Sequence, residues 1–258
     1  VQWSAETIER ELLTRRQSPP DLPGTFAAAF SSTVGKPDIP ALEALHRAGL
    51  AVAAAMDEAA AASGDLPYHG RHHVVDATFV MGLLCAEALA RRMIGRLHAA
   101  AGLVAMTGHD IHHDGTLAGD GRLERRAQAA VEVIAAACGV DAASRAAIGA
   151  VILATDPTAA AANAARLEGR LPPGPLGPEQ DVLNKLANEA DIAGSLLPKL
   201  GPMLGAALAE EWRPLGNPAL TMVATPAGRS RFLQSLPPFS EPAIALGLVP
   251  SRPSEASG

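Results

Sequence analysis

Two clusters of imidazole and carboxylate side chains interrupt a chain written almost wholly in helical periodicity. Few folds can bring both to one place. The first, Tyr68-His69-Gly70-Arg71-His72-His73-Val74-Val75-Asp76, holds three of the eight histidines. The second, His109-Asp110-Ile111-His112-His113-Asp114-Gly115, holds three more. Neutral imidazole nitrogens and carboxylate oxygens are the ligands that borderline and hard divalent cations prefer. Each cluster can therefore form one wall of a metal site, and the rest of the chain reads as a helical frame around them.

The spacing carries further expectations. His69 and His73 are four apart, so on a helix they share a face one turn apart. His109 and His113 have the same relation if their segment is helical. His109 and Asp110 are adjacent and can face one ion only where a helix ends or bends, for which Gly108 is well placed. A further ligand has to come from a distant segment. Asp191, in Asn188-Glu189-Ala190-Asp191-Ile192-Ala193, is the candidate, because an unpaired carboxylate in an apolar helical stretch is costly.

The frame is predicted to be all-α, a compact multi-helix bundle. Alanine is the best helix former and dominates the composition, whereas aromatic residues make up only 3%. No stretch shows strand alternation and no internal repeat is visible. Helices are expected at 4–15 (with Ser4 as N-cap), 41–63, from His69 or His72 to Arg92, 94–108, 122–138, 141–155, 158–168, 179–197, 203–212, 227–236 and 240–247. Residues 18–40 contain five prolines and two glycines and read as an extended wrap. The expected organisation is an N-terminal helix and wrap at 1–40, one catalytic domain at 41–250 and a polar, flexible tail at 251–258.

A hydrophobic content of 48% with 19% charged residues fits a globular domain that can bury a sizeable core. The net charge of −6 argues against a nucleic-acid surface, which needs clustered Lys and Arg. No apolar run reaches the roughly 18 residues that suggest a membrane span. No signal-peptide pattern opens the sequence, so the expected compartment is the cytoplasm. Cys85 and Cys138 read as two reduced core thiols, and thiolate metal spacing is absent.

The motifs resemble a known family. His73, then His109-Asp110, then Asp191 reproduce the H…HD…D signature of the HD-domain metal-dependent phosphohydrolases. Within it the chain looks most like the class I cyclic-nucleotide phosphodiesterases. Their Tyr-His-Asn-x-x-His-Ala-x-Asp motif is similar to residues 68–76, and their His-Asp-x-x-His-x-Gly motif to residues 109–115. Their Leu-Ala-Thr-Asp element matches Leu153-Ala154-Thr155-Asp156, and their Ala-Asp-hydrophobic element matches Ala190-Asp191-Ile192.

The resemblance implies two divalent metal ions, with zinc, magnesium, manganese and iron all compatible. One would be held by His73, His109, Asp110 and Asp191, and Asp110 would bridge to the second. A metal-bridging hydroxide would attack phosphorus in line, and His69 would protonate the leaving oxygen. His113 and Glu124 would hydrogen-bond metal-bound waters and Asp156 would support them from behind, Glu124 by the likeness of Leu123-Glu124 to a family element. The implied substrate is a small soluble phosphodiester, a 3′,5′-cyclic nucleotide being the first candidate. Tyr68, Arg229 and Phe232 are assigned to binding it.

Two departures stand out. Gly70 replaces the family's Asn beside the proposed acid, so that hydrogen bond must come from elsewhere or is missing. Arg229 aligns with the glutamine that grips the purine, and a guanidinium suits an anionic group better than a purine edge. Competing readings are an HD-type nucleotide phosphomonoesterase or pyrophosphohydrolase, and a non-catalytic metal-binding sensor. A mixed-valent di-iron oxygenase needs further histidines, and none follows His113. His72 is out of phase with its neighbours, and His112 is ambiguous. Trp212 reads as a core or hinge aromatic, Asp156 equally well as an N-cap before Pro157, and Arg229 as a solvated charge.

Overall fold

A computed structural model describes residues 2–116, 119–216 and 221–250. Its described residues form twelve α-helices and no strand: α1 Ala5–Arg15, α2 Leu22–Thr33, α3 Pro40–Ser63, α4 Arg71–Ala90, α5 Arg96–Gly108, α6 Arg122–Ala137, α7 Ala142–Ala154, α8 Ala160–Leu167, α9 Pro178–Leu196, α10 Leu200–Trp212, α11 Pro226–Ser235 and α12 Glu241–Ala245. The all-α expectation is met. The tail at 251–258 lies outside the described residues.

Helices α4 and α5 form the centre. Helix α4 packs against α2, α5 and α9, and α5 packs against α3, α4 and α7. Their apolar character follows from this position. Among the described residues α4 is the one single helix long and apolar enough to cross a membrane, but most of it is buried among its neighbours. Alanines at 88, 99, 100, 101 and 105 are fully or almost fully buried, so helix axes can approach closely at these points.

Residues 18–40 are not an extended wrap. They contain α2, capped by Asp21, whose side chain accepts from the Gly24 N–H at 2.8 Å. Proline is a poor guide here: Pro19 and Pro20 precede the cap, and Pro23 lies in the first turn, where a missing N–H costs little. Phe26 and Phe30 are buried, so α2 belongs to the same core as α3 and α4. Phe26 fits because Gly49 faces it; a Cβ there would come within 1.9 Å of its ring.

The chain turns through 98° between α9 and α10, and the start of α10 is capped from a distance. Buried Glu9 on α1 accepts from the Lys199 and Leu200 N–H groups at 2.6 and 2.9 Å. It thereby satisfies donors at the start of α10. This bend matters because α9 carries Asp191 and α10 carries the residues facing it.

Candidate metal centre and cavity

Helix α4 starts at Arg71 with Gly70 as N-cap, so His69 precedes the helix. The expectation that His69 and His73 share a helical face is therefore corrected. Residues 109–113 form a turn rather than a helix, with the Ile111 N–H donating to Gly108 O and the His113 N–H to Asp110 O. His112 takes the left-handed φ of 63° within that turn. Helix α5 does end at Gly108, but the glycine serves packing rather than bending. A Cβ would lie 2.5 Å from Val131 Cγ2 and 2.7 Å from Val52 Cγ1. Gly108→Ala is expected to destabilise the fold by about 1–3 kcal/mol through overpacking, read as a lower urea midpoint with an unchanged slope.

Despite the different backbone, the predicted ligands converge. His73 Nε2 lies 2.9 Å from Asp191 Oδ1, 3.2 Å from His109 Nε2 and 3.4 Å from Asp110 Oδ2. His109 Nε2 lies 3.4 Å from both Asp110 Oδ2 and Asp191 Oδ1. Ligands bonded to one ion at about 2.1 Å stand about 3.0 Å apart at right angles and about 3.4 Å apart at the tetrahedral angle. The observed separations fall in that range.

Other features of this structure fit a cation. Asp110 Oδ2 is buried without a hydrogen-bond partner, an arrangement costly for a carboxylate oxygen unless something positive meets it. His109 Nδ1 is 2.8 Å from the Met106 carbonyl, which anchors that nitrogen's proton and leaves Nε2 facing the cluster. Burial disfavours charge on His109, but Asp110 and Asp191 outweigh it and raise its pKa to about 9. Burial likewise opposes ionisation of Asp191, yet hydrogen bonds with His109 and His73 hold its carboxyl well below the usual range. The cluster thus attracts positive charge strongly. His73, His109 and Asp110, all drawn from the two sequence clusters, meet as a metal-type group.

His69 stands beside this cluster and is held by a residue the sequence reading missed. Its Nδ1 lies 2.6 Å from Glu211 Oε1, while the N–H groups of Tyr68 and His69 donate to Glu211 Oε2 at 2.9 and 3.0 Å. Glu211 therefore supplies the orienting contact that Gly70 cannot. A signal for it existed: Leu200, Leu204, Leu208 and Glu211 recur at steps of four, four and three, which puts an acid on an apolar stripe. Burial alone would lower the pKa of His69, but the Glu211 hydrogen bond and the charge of Asp110 reverse this and raise it.

His113 stacks on His69 with ring centroids 3.9 Å apart. Its Nδ1 accepts from the Gly115 N–H at 3.1 Å, so that nitrogen carries the lone pair. His69, His113 and Glu211 form a second metal-type group, although the Glu211 carboxylate is already engaged by His69 and Tyr68. Tyr68 stacks on His73 and its hydroxyl lies 3.4 Å from Ser195 Oγ.

A cavity of about 460 Å³ opens over these groups. Tyr68, His69, Asp110, His113, Glu124, Asp156, Asp191, Arg229 and Phe232 all line it. Every predicted site residue other than the buried ligands His73 and His109 thus faces this space. Burial, with the charges of Asp156, Asp110 and Asp191, raises the pKa of Glu124, whose Oε2 is buried and unpartnered. Asp156 caps the 3₁₀ turn at Pro157–Ala159 through Thr158, as its N-cap reading has it, and it also lines the cavity. Asn188 on α9 donates to the Ala154 carbonyl and so ties the end of α7 to the helix carrying Asp191. Trp212 is a cavity wall, contrary to its reading as core or hinge. Arg229 is not a solvated charge: it binds the carbonyls of Ser195, Leu196 and Leu197.

The fold is that of all-helical phosphodiesterase domains. The phosphodiesterase domain of the Salpingoeca rosetta rhodopsin phosphodiesterase superposes with a TM-score of 0.64 at 18% identity, over 89% of this chain and 84% of that one. The phosphodiesterase domain of the RhoPDE fusion protein from the same choanoflagellate gives 0.60 at 17% identity, over 91% of this chain and 84% of that one. At such identities the likeness is one of fold. No protein-family model matches the chain, and a search of curated proteins finds no match.

Proposed function

We propose that this protein is a metal-dependent phosphodiester hydrolase. The observation that carries the reading is the gathering of two imidazole nitrogens and two carboxylates at single-ion spacing, on a cavity that also holds an oriented imidazole. His73, His109, Asp110 and Asp191 would hold a divalent cation, and Asp110 would be shared with a second. Bound cations would screen the phosphate charge and acidify a water. The protein's own groups do the rest. His69, whose pKa Glu211 raises against burial, donates a proton to the departing oxygen. A diester alkoxide needs that proton, which favours a diester over a substrate with a good leaving group. Glu124 Oε2 and Asp156 offer acceptors that orient water at the cavity wall.

Elemental analysis of the purified protein, followed by assays with bis(p-nitrophenyl) phosphate, cyclic nucleotides and p-nitrophenyl phosphate under zinc, magnesium, manganese and iron, tests this. The expected result is bound divalent metal and diester cleavage. Cleavage of the monoester alone would support the phosphomonoesterase reading instead. Retained metal without turnover of any ester would support the sensor reading.

A further inference from the structure

The part of the cavity beyond the ligand cluster has a chemistry of its own. Arg229 lines it, but its guanidinium is committed elsewhere. Nη1 donates to Ser195 O at 2.6 Å, and Nη2 donates to Leu197 O at 3.0 Å and Leu196 O at 3.4 Å. These carbonyls end α9, the negative pole of that helix, where a cation is stabilised. Three of the five donors of the guanidinium are thereby occupied. The seat is built for it: a Cβ on Gly201 would come within 2.1 Å of Nη1. Arg229 is a helix cap with two of its five donors left for the cavity.

The remaining walls are mostly carbon, interrupted by the hydroxyl-bearing side chains of Thr116, Thr155, Thr158 and Ser195. Leu123, Ile192, Leu204, Leu208, Val223 and Phe232 surround the space. Trp212 closes one side, with an indole N–H that has no partner. Among the described residues no Asn or Gln lines the cavity. A nucleobase carries donors and acceptors along its edges, and each one buried without a partner weakens binding by roughly 5- to 150-fold. An alkyl or aryl group has no such penalty and gains about fourfold per buried methylene.

We propose that the organic group of the substrate is apolar, an alkyl or aryl phosphodiester rather than a nucleotide, seated between Phe232, Trp212 and the leucines of α10. This rests on the diester-hydrolase reading above and names the substrate class of the same site.

The test uses the full chain, reconstituted with the metal that supports turnover. Methyl, butyl and octyl p-nitrophenyl phosphates, which share one leaving group, are compared with one another by kcat/KM, and methyl octyl phosphate is compared with cyclic AMP and cyclic GMP as a competitor of that cleavage. The expected result is a rise of roughly two- to fourfold per methylene until the cavity is full, with methyl octyl phosphate competing at least about tenfold more tightly than either cyclic nucleotide. Leu208→Ser, at a half-buried position, should flatten the series. A flat series with a cyclic nucleotide competing at least about tenfold more tightly overturns the inference and leaves the diesterase reading intact.

A second readout needs no turnover. Trp3→Phe leaves Trp212 as the sole tryptophan, since the chain has two. If no diester is cleaved, the diesterase reading fails, and this titration decides the cavity's preference alone. A saturable emission shift with methyl octyl phosphate but not cyclic AMP supports an apolar site. The reverse overturns it.

Discussion

Asp191→Ala protein is expected to leave purification with less than about a tenth of the wild-type metal content and to cleave diesters at least about 100-fold more slowly. Replacing a group that merely supports a ligand costs roughly 10–100-fold in affinity or activity, and Asp191 sits among the ligands themselves. Its Oδ1 is 2.9 Å from His73 Nε2 and 3.4 Å from His109 Nε2, so its removal takes negative charge from both imidazoles at once. His73→Ala and Asp110→Ala should behave alike, since each removes one of the same converging atoms. Metal per chain by elemental analysis, circular dichroism to confirm the fold, and diester turnover are the three measurements. A folded Asp110→Ala protein with full metal and full activity would defeat the assignment.

His69→Ala should separate chemistry from metal binding. His69 lies outside the His73, His109 and Asp110 group, so metal content should stay at the wild-type level. The loss should fall on kcat, by the 10²–10⁴-fold or so typical of a removed general acid. Glu211→Gln tests how that acid is held. In the wild-type protein the Glu211 hydrogen bond raises the His69 pKa against burial, while His69 in turn lowers the Glu211 pKa against burial. A raised pKa keeps His69 protonated to higher pH, and activity is lost as pH rises through it. With glutamine the carboxylate charge is gone, the His69 pKa falls, and the alkaline limb of kcat should move to lower pH. A lower rate with an unmoved limb would mean that Glu211 only supports the backbone of Tyr68 and His69.

Much of the helical frame could be read because its signals are local. Ser4 caps α1 as expected, and the structure adds a reciprocal box with Thr7, while Leu42, Leu45, Val52 and Met56 are buried as their spacing requires. The α2 error is also local in origin. Five prolines in 18–40 suggested broken structure, but a proline in a first turn is compatible with a helix, and two phenylalanines had a core to enter. Asp191 was legible because a lone carboxylate in an apolar helix is costly and therefore needs a partner. Glu211 was equally exposed to that argument, on the stripe of Leu200, Leu204 and Leu208, yet its partners lie more than a hundred residues away.

The sequence by itself determined that the chain is helical, that the two histidine clusters offer metal-type donors, and that a distant aspartate needs a partner. Residue type and periodicity encode those facts, because propensity and the cost of burying a charge act on each segment alone. Only the tertiary structure decided that a turn rather than a helix presents His109 and Asp110, that Glu211 holds His69, and that Arg229, at the cavity wall, caps α9. Those outcomes depend on which buried polar groups meet once α9 and α10 bend over α4, and no local pattern records a meeting between segments so far apart.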